Sequence, residues 1–152
     1  MKKLFYSLFI GTLAFSACSD KDEDPGVKEH QSAKITISVS DAFKKTERDD
    51  FSITVLGTSS KGSLTSWEVN GEAVTNQNVT LNADDFDGGG TFVIESTAPF
   101  YAAGVELSGF NFGPSFKVNY KIEIDGKVEN SEDGVEIKEE NEPYVKSFMY
   151  NN

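Results

Sequence analysis

The sequence predicts an all-β domain built as an antiparallel sandwich, and three observations predict it. From Ala33 onward apolar side chains recur at every second position, the spacing of a strand with one buried and one wet face. Two dipeptides that tolerate the positive φ angles of tight hairpins, Asn70-Gly71 and Asp125-Gly126, join such stretches. No stretch of useful length shows helical spacing.

The elements follow in order. In Ala33 to Ser40 the side chains of Ile35, Ile37 and Val39 share one face, and Phe51, Ile53 and Val55 repeat the pattern within 51–57. Asp41 to Asp50, between these strands, is the one place for a short helical turn, with Asp41 positioned to cap its free N–H groups. Trp67 lies on a strand over 65–70, and Asn70-Gly71 turns the chain into 72–75. Further strands are expected at 78–82, 90–97, 103–112 and 115–124. The last is the cleanest, with Phe116, Val118, Tyr120, Ile122 and Ile124 alternating with polar residues. Asp125-Gly126 leads into 127–130, Asp133-Gly134 marks a break before 134–138, and 143–150 completes the set, some members of which should merge. Val105 and Leu107 differ in parity from Phe110 and Phe112. A β-bulge at Ser108-Gly109 would bring all four to one side; without one, both phenylalanines point outward.

Many short strands with frequent turns suit a sandwich or a small barrel. The run from Phe51 to Ser96, with its single Trp67 on an alternating strand, resembles the immunoglobulin-like fold, although the paired cysteines of true immunoglobulin domains are missing. An eight-stranded, lipocalin-like barrel is the alternative for a domain spanning 33–152.

The N-terminus is of another kind. Lys2 and Lys3 precede a mostly apolar stretch from Leu4 to Phe15, which as a helix would measure about 18 Å against a hydrocarbon core of about 30 Å. That is a signal peptide over 1–17, not a membrane span. Phe15-Ser16-Ala17-Cys18 resembles the lipobox of bacterial lipoproteins: an apolar residue, two small ones, then cysteine. The resemblance implies diacylglycerol on the Cys18 thiol and cleavage before it. Two or more acyl chains give stable attachment at about 0.8 kcal/mol per buried CH₂, so the anchor, not the domain, would hold the membrane. Ser19 to Asp24 is an acidic run resembling the export tag of Bacteroides-type surface lipoproteins, which implies an outer-membrane protein facing the cell exterior, with the periplasmic face as the alternative. Residues 18–32, almost devoid of apolar side chains, read as a flexible acidic tether.

Composition narrows the function. The chain carries a net charge of −11, which opposes nucleic-acid binding. One cysteine and one histidine, His30, exclude a disulfide framework and make histidine-dependent catalysis a poor fit. No cofactor is expected, and the adjacent acid pairs point to opposite faces of a strand, unsuited to glycoside hydrolysis. The stretch Asn82 to Gly90 offers Asp84, Asp85 and Asp87 as a weak calcium candidate, although it lacks the closing glutamate of a helix-loop-helix calcium site. Phe100 and Tyr101, with Phe110 and Phe112, are the best candidates for a contact surface. The expectation is therefore a non-enzymatic β-domain that binds a glycan or a protein as accessory to an outer-membrane complex, with an exposed patch at the end farthest from residue 33. An assembly subunit pairing through the edge of the Tyr144 to Tyr150 strand is the second expectation. An enzyme is the third.

Overall fold

The computed structural model describes residues 28–75, 78–138 and 143–151; the leader, Cys18 and the acidic run behind it lie outside these. Two antiparallel sheets face each other. The first has six strands in the order β4 (Glu72–Ala73), β3 (Trp67–Val69), β6 (Gly90–Ser96), β1 (Ala33–Val39), β8 (Phe116–Ile124) and β9 (Lys127–Ile137). The second has four: β10 (Tyr144–Asn151), β7 (Ala102–Phe110), β2 (Asp50–Thr58) and β5 (Asn78–Leu81). The sheets keep separate edges, so this is the sandwich and not the lipocalin-like barrel. Strand membership follows the immunoglobulin plan in its centre. The chain crosses from β1 to β2 and from β6 to β7, β1 pairs with β6, and β7 lies between β2 and β10. The β8–β9 hairpin, inserted before β10, departs from that plan.

The period of two is what fills the space between the sheets. Ile35, Ile37 and Val39 from β1 meet Phe51, Ile53 and Val55 from β2, all buried. Val118, Ile122, Val105 and Leu107 extend the same core, each buried side chain contributing about 1.5–3 kcal/mol. Trp67 crosses from the six-stranded sheet to Gly57 on β2. A Cβ there would lie 2.9 Å from the indole Cζ2, so the ring fits because position 57 has no side chain. Asn70-Gly71 and Asp125-Gly126 are two-residue turns with both φ angles positive, as their composition predicts.

Two local expectations need correction, one element is new and one alternative is decided. The segment from Asp41 holds one 3-10 turn, Lys45–Glu47, whose N-cap is Lys44 with no side-chain cap, so Asp41 does not cap it. A helical turn absent from the sequence reading, α1 (Ala83–Phe86), is closed by a capping box: Asn82 Oδ1 accepts from Asp84 N–H at 2.8 Å, and Asp85 accepts from Asn82 N–H at 2.8 Å. Asp133-Gly134 breaks nothing; β9 runs through it as one strand, with register shifts against β8 between Val118 and Tyr120 and between Ile122 and Glu123. The register of β7 against β2 and β10 is continuous through Ser108 and Gly109, so of the two alternatives the one without a bulge holds. Gly109 keeps the inward parity of Val105 and Leu107. Its missing Cβ makes room for Ile137 Cδ1, which would otherwise lie 2.8 Å away.

The N-terminal approach is seated on the domain before residue 33. His30 forms a backbone bridge with Phe100, its ring 5.2 Å from the Phe100 ring. Asp125, on the β8–β9 turn, accepts from Gln31 N–H at 2.6 Å and Ser32 N–H at 3.1 Å, and its other oxygen lies 2.9 Å from His30 Nδ1. Burial raises the Asp125 pKa, but these hydrogen bonds from His30, Ser32 and Gln31 outweigh it and hold the carboxyl below its ordinary value.

Candidate functional site at the distal loops

The end of the sandwich opposite this clamp is built by three loops, 40–49, 82–89 and 111–115. Their roots are apolar. Phe43, Phe86 and Phe116 are fully buried, and Phe43 and Phe51 each meet Phe116 edge-on. Above them sits a buried polar layer. Asp49 accepts from Lys44 N–H at 3.0 Å through one oxygen and from Phe112 N–H at 3.4 Å through the other, tying the first loop to the third. Asn111, also buried, donates to the Pro114 carbonyl at 2.8 Å and accepts from Gly113 N–H at 2.9 Å. Gly113 lies so close to Glu47 that a Cβ would meet Glu47 Oε2 at 2.8 Å.

This scaffold holds an exposed group. Phe112 is 47% exposed and its ring centroid lies 4.6 Å from that of Phe110. Arg48 Cζ stands 4.7 Å over the Phe112 ring. Arg48 is the chain's single arginine, adopts φ 69°, and takes part in none of the ion pairs among the described residues. Arg48 is the left-handed cap of the 3-10 turn, held there by its N–H donating to Lys45 O at 3.0 Å, a conformation that strains a non-glycine residue by about 1 kcal/mol.

The four aromatic candidates do not form one surface. Phe100 is fully buried at the opposite end of β7, and Tyr101 beside it is half-buried. Phe110 and Phe112 alone come together at the distal loops. Arg48, Asp49 and Asn111 carry no motif that would single them out in the sequence; their roles come from contacts between loops 63 residues apart.

The three aspartates of the calcium candidate point to different tasks. Asp85 is taken up by the capping box. Asp84 pairs with Lys45 Nζ, and Asp87 accepts from Lys45 N–H at 3.1 Å. The hydrogen bond that the Lys45 ammonium donates to Asp84 raises the Lys45 pKa above the ordinary lysine value. Among the described residues no three His, Cys, Asp or Glu side chains come close enough to hold a metal ion.

No family model and no curated protein matches the chain. Solved structures do. A domain of unknown function, DUF4425, from Bacteroides vulgatus superposes with a TM-score of 0.58 at 15% identity, covering 81% of this chain and 95% of that one. A DUF4425 family protein from Bacteroides ovatus gives 0.57 at 17% identity, covering 80% and 94%. The calcium-bound form of a protein from Parabacteroides distasonis gives 0.53 at 14% identity, covering 86% and 99%. At these identities the likeness is one of fold.

Proposed function

We propose that this protein is a lipid-anchored outer-membrane protein whose β-sandwich is a non-catalytic binding module, acting through Arg48, Phe112 and Phe110. One observation carries the reading. The clamp at His30 to Ser32 lies at one end of the sandwich, and the exposed Phe112, with half-buried Phe110 and Arg48 against it, lies at the other. An anchored module would present that end away from the membrane. A flat ring, an unpaired guanidinium and adjacent loop backbone suit stacking and hydrogen bonding to a glycan or a protein segment. The test is binding of the purified protein to a glycan array and to solubilised outer-membrane proteins, repeated with Arg48→Ala and Phe112→Ala. Binding lost in both variants at unchanged melting temperature supports the reading. Binding indifferent to both overturns it.

A second reading has its own observation. The Asp84 carboxylate already holds a cation, the Lys45 ammonium, while Asp87 accepts from the Lys45 backbone N–H, and the Parabacteroides neighbour is a calcium-bound form. Calcium would have to displace the Lys45 ammonium and recruit backbone oxygens of the 82–89 loop to reach six or more ligands. Calorimetric titration with calcium, beside Asp84→Asn, tests it. Heat lost in the variant supports the site, and no heat in the wild type removes it.

A further inference from the structure

The two sheets of this sandwich end in four edges, and three of them are protected. β4 has two residues and β5 four, too short to template another strand. β9 is long, but its register shifts twice and it carries Glu129, Glu132, Asp133 and Glu136. β10 is different. Its eight residues pair with β7 on one side only, in unbroken register, and Lys146 is its sole charge. That charge is met within the protomer by Glu132 at 2.9 Å. The two most exposed large apolar side chains among the described residues, Met149 at 71% and Val145 at 54%, stand on this strand's outer face.

We infer that β10 pairs with β10 of a second copy, antiparallel and centred on Ser147, so that the four-stranded sheets of two protomers become one sheet of eight. The strand reads as its own complement about Ser147. Two-fold pairing there sets Val145 opposite Met149 of the other copy, and Tyr144 opposite Tyr150. Lys146 falls opposite Phe148, so the two ammonium groups are offset and never face each other. Both outward-facing apolar residues gain a cross-strand apolar neighbour, and the free backbone groups of the edge gain partners. Charge selects the same place. Two copies at −11 each repel over most of their surface, and β10 is the long edge with no acid on it. The pairing turns the two His30 clamps, and with them the two distal ends, to opposite sides, so in the dimer one distal site points away from a membrane that holds its own clamp and the other lies beside that clamp.

The test is register-specific. In the full chain, Ser147→Cys places two thiols directly across the axis, where cross-strand Cα atoms lie about 4.5–5.5 Å apart, within disulfide range. Val145→Cys places them about 13 Å apart, because each then faces position 149 of the other copy. Both are oxidised mildly in membranes, beside the wild type as control for Cys18, and run without reductant. The expected result is a band of twice the monomer mass for Ser147→Cys, little for Val145→Cys and none for wild type. Equal cross-linking of the two variants overturns the register. Absence of cross-linking in both, with a monomer by light scattering of the detergent-solubilised wild type, overturns the dimer.

Discussion

Gly88 and Gly89 offer a paired experiment on how the distal loops are held. Both have positive φ, 82° and 83°, so alanine at either is strained by about 1–2 kcal/mol. Their surroundings differ. A Cβ on Gly88 meets only the flexible end of Lys44, 3.9 Å away. On Gly89 it would stand 2.6 Å from Asp41 N, 2.7 Å from Ser40 C and 2.8 Å from Asp41 Cα. These are backbone atoms of a turn fixed by the Phe43 N–H bond to Ser40 O at 3.1 Å, so they cannot swing aside. Overpacking of this kind costs about 1–3 kcal/mol more. Gly88→Ala should therefore lose about 1–2 kcal/mol and Gly89→Ala about 2–5 kcal/mol. At about 4 °C per kcal/mol for a domain of this size, melting falls by about 4–8 °C and about 8–20 °C. Buried Trp67, the chain's single tryptophan, reports both transitions by fluorescence. If Gly89→Ala melts no lower than Gly88→Ala, the 82–89 loop does not press on Ser40 and Asp41, and the description of the distal end is wrong.

Other outcomes follow from the same geometry. Thr65 Oγ1 is buried with no hydrogen-bond partner among the described residues, so Thr65→Val should stabilise by about 1 kcal/mol in urea denaturation; a loss of that size would reveal a partner for the hydroxyl. Arg48→Gly relieves the positive φ while removing the cation over Phe112, so stability should change by no more than about 1 kcal/mol while ligand binding disappears. Asp125 has a depressed folded pKa, so its contribution is present above the unfolded value of about 3.9 and is lost as pH falls through the lower folded value. Asp125→Asn keeps the turn but weakens the clamp at every pH above that window. Limited proteolysis near Lys28 should be faster in the variant at pH 7, and the difference from wild type should shrink as pH falls through the folded value.

The strands were legible because each buries one face, and a period of two survives any detail of topology. The merging of 127–130 with 134–138 was not, since Gly134 at φ 68° serves a bulge in β9 as well as it would serve a turn. The parity change at Phe110 was visible, but choosing between a bulge and outward aromatics needed Ile137, which fills the space over Gly109 from the other sheet. The turn α1 is legible in the capping-box spacing of Asn82 and Asp85, although the same acidic run also has the composition of a cation loop. Phe100 and Phe112 look alike in sequence. One is sealed by His30 and the other opened by a buried Asp49 beneath its loop, both contacts between distant segments.

The claim beneath the functional reading is that the sandwich hangs from Cys18 on the outer face of the cell. Growth with labelled palmitate, followed by protease treatment of intact cells, tests it in one measurement on wild type and Cys18→Ala. The account predicts a labelled wild-type protein that protease removes from intact cells, and an unlabelled variant. Label that persists in Cys18→Ala, or a wild-type protein that stays unlabelled or is protected until the cells are opened, would contradict it.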